Sequence, residues 1–229
     1  MDGETVMTER LSDLYPQAAK IIRKYESVNK SGLPHIIPYY DELGGKWTVG
    51  FGRVILDEDG NQMTDDRRKE LGLTEDELKE KYAMTAETAE ADIDDQIQTA
   101  LQGIEYLQTQ LPEGQSLNQG EIESLIPLIQ NAGLDNIKFL NSGKPTKAIT
   151  ALRAGDKKKF MYELFDPDVG IVTAGGEKQL GLQRRRLEEG SIAKIYEGGE
   201  YAGYNEAKRK HGGRVMNDPN KNYNAQRFI

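Results

Sequence analysis

Residues 25–53 read YESVNKSGLPHIIPYYDELGGKWTVGFGR, and the rest of the chain is organised around them. The stretch opens on Tyr25-Glu26, reaches Asp41 fifteen positions later and Thr48 seven after that, and closes on Gly50-Phe51-Gly52. Cleaving a bond between two sugars takes a proton donor for the leaving oxygen and a second acidic group on the other face of the ring. Two carboxyls in unlike surroundings supply both, since burial keeps one protonated while exposure leaves the other ionised. The pattern predicts Glu26 at a helix end and Asp41 in a loop. Trp47-Thr48-Val49-Gly50-Phe51-Gly52 alternates β-branched and aromatic residues, which predicts a strand lining a cleft. With 38 acidic residues in the chain, most Glu/Asp pairs are solvated faces, so the chemistry of this trio alone is a weak signal.

Outward from this stretch, residues 5–27 carry Leu11, Leu14, Ala18, Ile21, Ile22 and Tyr25 at three- and four-residue steps. That is one apolar helical stripe, which Pro16 either starts or kinks. Strands are predicted at 46–51 and 53–57, with Asp59-Gly60-Asn61 as a hairpin turn and Gln62-Met63 returning. Asp57, Glu58 and Asp59 read as a solvated turn, because Thr64-Asp65-Asp66 does not supply a calcium loop's alternate oxygens. Thr74-Glu75-Asp76-Glu77 is a capping box for a helix to Tyr82, and Thr85 opens a longer helix running towards Pro112. Asn118 with Glu121 starts another, in which Pro127 predicts a kink costing about 3 kcal/mol unless packing compensates. Residues 146–153 and 156–165 read as two short helices, 173–176 as a loop, and 177–196 as a long final helix.

Three motifs, in order, resemble the phage lysozymes of the T-even type, glycoside hydrolase family 24. Glu26, Tyr40-Asp41 and Trp47 to Gly52 resemble its Glu…Asp…Thr pattern. Met84 to Glu90 resembles the start of its inter-lobe helix. Gly181-Leu182-Gln183-Arg184-Arg185-Arg186-Leu187-Glu188-Glu189 resembles its Gly-Leu-x-x-Arg-Arg-x-x-Glu signature. Two departures stand out: a longer Glu–Asp interval, read as extra loop over 30–38, and Arg53 where the family carries His.

The resemblance implies an α+β, lysozyme-like fold, with a small lobe holding an antiparallel sheet and a larger helical lobe joined by a long helix, the cleft lying between. It implies a peptidoglycan-degrading N-acetylmuramidase, inverting, with Glu26 as general acid and Asp41 and Thr48 serving the attacking water, and no metal or organic cofactor. Gln130 and Asn131 stand where the family's cleft-facing residues do, although Asn131 reads equally as a helix C-terminal residue. Trp47 reads as a sugar-stacking residue or as core. Of the three arginines, Arg184 or Arg185 is implied to approach Glu26, leaving the other two on a solvated face. Such a cation favours the ionised carboxyl, so either burial outweighs it or the arginine orients the group.

At 229 residues the chain suffices for one substantial domain or two lobes around a shared helix. No apolar run reaches membrane-spanning length, and the acidic N-terminus lacks a signal peptide's pattern, so synthesis in a host cytoplasm without a standard export signal is expected. Zero cysteines exclude disulfides, and two histidines make a histidine zinc site or a Ser-His-Asp triad improbable. A net charge of −8 argues against general nucleic-acid binding. The reading divides the chain into a catalytic domain, 1–197, and a tail, 198–229, whose six basic residues outnumber three acidic ones. The tail either packs back on the body or docks on the anionic wall or a virion partner. Two alternatives share the motifs: a virion structural protein on a lysozyme fold, and a lytic transglycosylase.

Overall fold

The computed structural model describes residues 9–28, 31–42, 44–174 and 177–193. Residues 5–8 of the first predicted helix, the end of the last one and the whole 198–229 tail lie outside the described residues.

The first helical stripe is divided at Pro16. A single turn, α1 (Leu11–Leu14), precedes α2 (Pro16–Glu26), with Tyr15 between them. Proline suits a first helical position because its missing N–H would have had no intrahelical acceptor there. The next amide, Gln17 N–H, is met across the fold by the buried Glu123 carboxylate at 2.9 Å, which also places negative charge at the helix's positive end.

The sheet follows: β1 (His35–Asp41), β2 (Lys46–Gly50) and β3 (Arg53–Val54), antiparallel in that order. Of the residues 30–38 read as extra loop, 35–38 are therefore strand. Two prolines hid β1, but it is an edge strand, where a missing N–H is tolerated, and its register shifts between His35 and Tyr39 around Pro38. Beyond β3 the chain doubles back through a turn in which Gly60 has φ 84°, and Met63 N–H bonds to Ile55 O at 2.8 Å.

That turn is solvated as expected at Glu58 and Asp59, but not at Asp57. Asp57 is 9% exposed; its carboxylate accepts from the backbone amides of Asp59 and Asn61 and from Arg67 Nε at 2.7 Å. Burial opposes the charge, but the Asn61 amide and the Arg67 guanidinium prevail and hold the Asp57 carboxyl down to about 2. A group depressed on folding stabilises above its unfolded value, near 3.8, and loses that contribution as pH falls through its folded value. The difference in melting temperature between wild type and Asp57→Asn should therefore narrow between about pH 4 and pH 2. A difference that stays constant down to pH 2 would remove Asp57 from the acid response.

Three capping boxes then start helices: Thr74/Glu77 for α4 (Glu75–Lys81), Thr85/Thr88 for α5 (Ala86–Thr109) and Asn118/Glu121 for α6 (Gln119–Ala132). Before them lies α3 (Asp65–Glu70), capped by Thr64, a helix without apolar periodicity that the sequence reading missed. At about 1.5 Å per residue, the 24 residues of α5 span about 36 Å, enough to join both lobes. The helical lobe continues with α7 (Leu134–Lys138), α8 (Lys147–Arg153) and α9 (Lys157–Phe165). A small hairpin, β4 (Thr173–Ala174) with β5 (Glu177–Lys178), takes the place of part of the predicted loop and of the predicted first turn of the last helix, so α10 covers Leu180–Ile192.

Two cores result. The small-lobe core contains Trp47, Val49, Ile55, Met63 and Leu78. The larger one gathers α2, α5, α6, α8 and α9 around residues such as Ile22, Ile97, Leu125 and Phe160.

Candidate active site

Glu26 is the last residue of α2, and its side chain is 13% exposed. One carboxylate oxygen, Oε1, accepts from Arg185 Nη1 at 2.5 Å. The other faces Gly52, where a Cβ placed on the glycine would stand 2.9 Å from Oε2. Gly52 has φ 82°, a conformation that glycine adopts without steric cost. The turn carrying it is pinned from α5: Gln96 Nε2 donates to Phe51 O at 3.1 Å and to Asp92 Oδ2 at 3.0 Å, and Arg53 Nη1 donates to Asp92 Oδ1 at 2.5 Å.

Asp41 ends β1 and is 5% exposed; Thr48 lies mid-β2 and is 1% exposed. Asp41 pairs with Lys46 and Tyr39 with Thr48, so Asp41 and Thr48 are diagonal neighbours on one face of the sheet. Such neighbours lie about 7–8 Å apart at the backbone. Asp41 is strand, not loop, and buried, so the expected contrast of a buried Glu26 and an exposed Asp41 is absent. The sheet's opposite face carries Trp47, paired with Tyr40 at 5.6 Å between ring centroids. At 2% exposed, Trp47 fills the small-lobe core and presents no open face for stacking on a sugar.

The helical wall is built by two arginines. Arg185, 2% exposed, donates to Glu26, to Glu189 Oε1 at 2.8 Å, to Gln130 Oε1 at 3.1 Å and to Pro127 O at 3.2 Å. Burial disfavours its charge, but Glu26 and Glu189 outweigh that and raise Arg185 above the ordinary arginine value. Arg186, fully buried, donates to Glu189, to Ile171 O at 2.9 Å and to Asn131 Oδ1 at 2.5 Å. Only Arg184 of the three keeps intermediate exposure, so the expected two-arginine solvated face is not present. Burial here follows mostly from partners on other elements, 15 to 159 residues away, which helical periodicity cannot reveal.

Helix α6 runs on through Pro127, whose carbonyl accepts from Arg185. Gln130 and Asn131, near its end, are each held by one arginine. Asn131 also lines an open cavity of about 880 Å³ with Arg186, Ile171, Asn136, Phe139 and Thr173. Glu26, Asp41 and Thr48 are not among its lining residues, so this cavity is not the pocket of the trio. Two residues had been given no role from the sequence: Gly52, which closes Gly-x-Gly, and Glu189, the final Glu of the arginine signature.

The architecture is that of phage endolysins. The active form of the P1 phage endolysin Lyz superposes with a TM-score of 0.53 at 19% identity, over 81% of this chain and 87% of that one. The endolysin from Escherichia coli O157:H7 phage FAHEc1 matches with a TM-score of 0.46 at 19% identity, over 84% and 96%. No curated protein matches. The phage lysozyme family matches residues 35–189, and the chain belongs to that family. Membership makes it a glycosidase-type hydrolase of the peptidoglycan-degrading kind. The match begins after Glu26, whose place in the site rests on its own contacts. Among the described residues no helix is long and apolar enough to cross a membrane.

Proposed function

We propose that this chain is an N-acetylmuramidase that hydrolyses the β-1,4 bond from N-acetylmuramic acid to N-acetylglucosamine, in phage-driven lysis or local wall penetration. The observation that carries this reading is Glu26, held by Arg185 on one oxygen, with the other beside Gly52, where a side chain would crowd it. Glu26 donates its proton to the leaving glycosidic oxygen. Arg185 holds the carboxyl in one orientation. Asp41 stabilises the positive charge that develops on the sugar ring, and Asp41 with the Thr48 hydroxyl holds the attacking water. Thr48 Oγ1 is buried with no hydrogen-bond partner among the described residues, so it has bonding capacity to offer a water. Water attacking from the face opposite the leaving group inverts the anomeric carbon, which needs carboxyls about 6.5–9.5 Å apart.

Mass spectrometry of digested peptidoglycan tests the reaction: reducing muramic acid ends are expected. Anhydro ends would make the protein a transglycosylase, and no products would leave a structural role. Thr48→Glu tests the water site separately. A carboxylate there takes the water's place and attacks the sugar, so incubation with wall fragments should add one glycosyl mass to the intact protein. Full activity with no added mass would put Thr48 outside the water site.

A further inference from the structure

Arg185 and Arg186 are neighbours in sequence, yet they reach different parts of the site, and one carboxylate lies between them. Glu189 is fully buried; one of its oxygens accepts from Arg185 Nε at 2.8 Å and the other from Arg186 Nη1. Four charges therefore alternate in a row, Glu26, Arg185, Glu189 and Arg186, and the row ends at the Asn131 amide oxygen. It is neutral in sum. In a water-poor interior each charge is felt strongly by the next, so removing one member unbalances the others.

Accepting Glu26 as the proton donor, we propose that Glu189 is a positioning residue for it, fixing Arg185 against Glu26 and cancelling the second buried cation so that no surplus charge acts on Glu26. The other charged groups around Glu26 are engaged elsewhere. On α2, Lys24 is bound to Glu188 at 2.5 Å and Arg23 to Glu90 of α5 at 2.7 Å. The Tyr25 ring lies 5.3 Å from Arg185 Cζ, and its phenol stays protonated because burial, with Glu188 nearby, pushes it up. On the sheet side Arg53 is bound to Asp92, leaving Asp41 as the remaining carboxylate of the trio. From α6 the contact groups are neutral, Gln130 and the Pro127 carbonyl reaching Arg185. After Arg185 itself, Glu189 is thus the group whose removal changes the balance beside Glu26 most directly.

The test is the pH dependence of turnover on soluble wall fragments for the full chain and three variants. Glu189→Gln keeps the shape and leaves a surplus cation, which favours ionised Glu26, so the basic limb should move down by about one pH unit. Arg186→Met leaves a surplus anion, so the limb should move up by a comparable amount. The double variant restores neutrality and should return the limb to its wild-type position. Opposite displacements with mutual rescue are not what a merely structural role produces, since that lowers the rate at every pH alike. A folded single variant with an unmoved limb, two shifts of the same sign, or a double variant that stays displaced would each overturn the proposal. Should only the double variant melt cooperatively, its limb alone decides. Activity surviving in Glu26→Gln counts against Glu26 as the acid; an inactive Glu26→Gln beside unmoved limbs counts against Glu189 alone.

Discussion

Glu26→Gln is expected to lose about 10²–10⁴-fold in wall lysis, the range that general acid catalysis supplies, while still unfolding cooperatively. The amide has the carboxyl's shape, and its oxygen can still accept from Arg185, which retains Glu189, Gln130 and the Pro127 carbonyl as partners. What disappears is the transferable proton. Rates of turbidity loss on purified walls, set beside thermal melts of both proteins, separate lost chemistry from lost fold. Lysis near the wild-type rate would remove Glu26 from the mechanism.

Gly52→Ala should injure the same carboxyl from the other side. The new methyl would lie 2.9 Å from Glu26 Oε2 and 3.3 Å from its carboxyl carbon, inside normal contact distance. Glu26 cannot retreat without giving up its bond to Arg185, and the turn cannot retreat easily because Gln96 holds the Phe51 carbonyl. The φ of 82° adds about 1–2 kcal/mol of strain for a residue with a Cβ. A displacement of about 1 Å at a catalytic group can cost about 10²-fold, so kcat should fall that far, with a lower melting temperature. Gly60→Ala is the control: its φ is 84°, but no atom lies within 4 Å of the added carbon, so only the strain should appear. Equal kcat losses in the two variants would show that contact with Glu26 is irrelevant.

How far the sequence could be read depended on the distance over which each feature is decided. Helix starts were legible because capping is local: Thr74 with Glu77 and Asn118 with Glu121 lie three residues apart and bond each other. The trio of Glu26, Asp41 and Thr48 was legible as a pattern, and the match to the phage lysozyme family includes the last two. Strand β1 was not, because Pro34 and Pro38 argue against a strand unless one knows that it lies at an edge. Helices α3 and α7, at six and five residues, are too short to show a period. Trp47 stayed ambiguous because alternation shows which residues share a sheet face but not which face is covered; Leu78 and Met63 cover this one. The burial of Arg185 and Arg186 was beyond local reading, since the partner of Arg185 at Glu26 lies 159 residues away. A charged run looks solvated until the folded chain supplies its counter-charges.

Strand β1 has a bearing on how the molecule behaves in crowded solution. Its outer rows leave Ile36 and Ile37 47% and 59% exposed on the rim of a sheet, the arrangement from which fibrillar stacking ordinarily nucleates. Pro38 interrupts that rim with a residue that has no donor to offer an incoming strand, and the slipped register beside it keeps the rim from being a straight template. The Ile36 carbonyl is already taken by the Met84 amide. Such an edge is a poor template for copies of itself, and the same proline that concealed the strand in the sequence withholds a donor from any strand that would extend it.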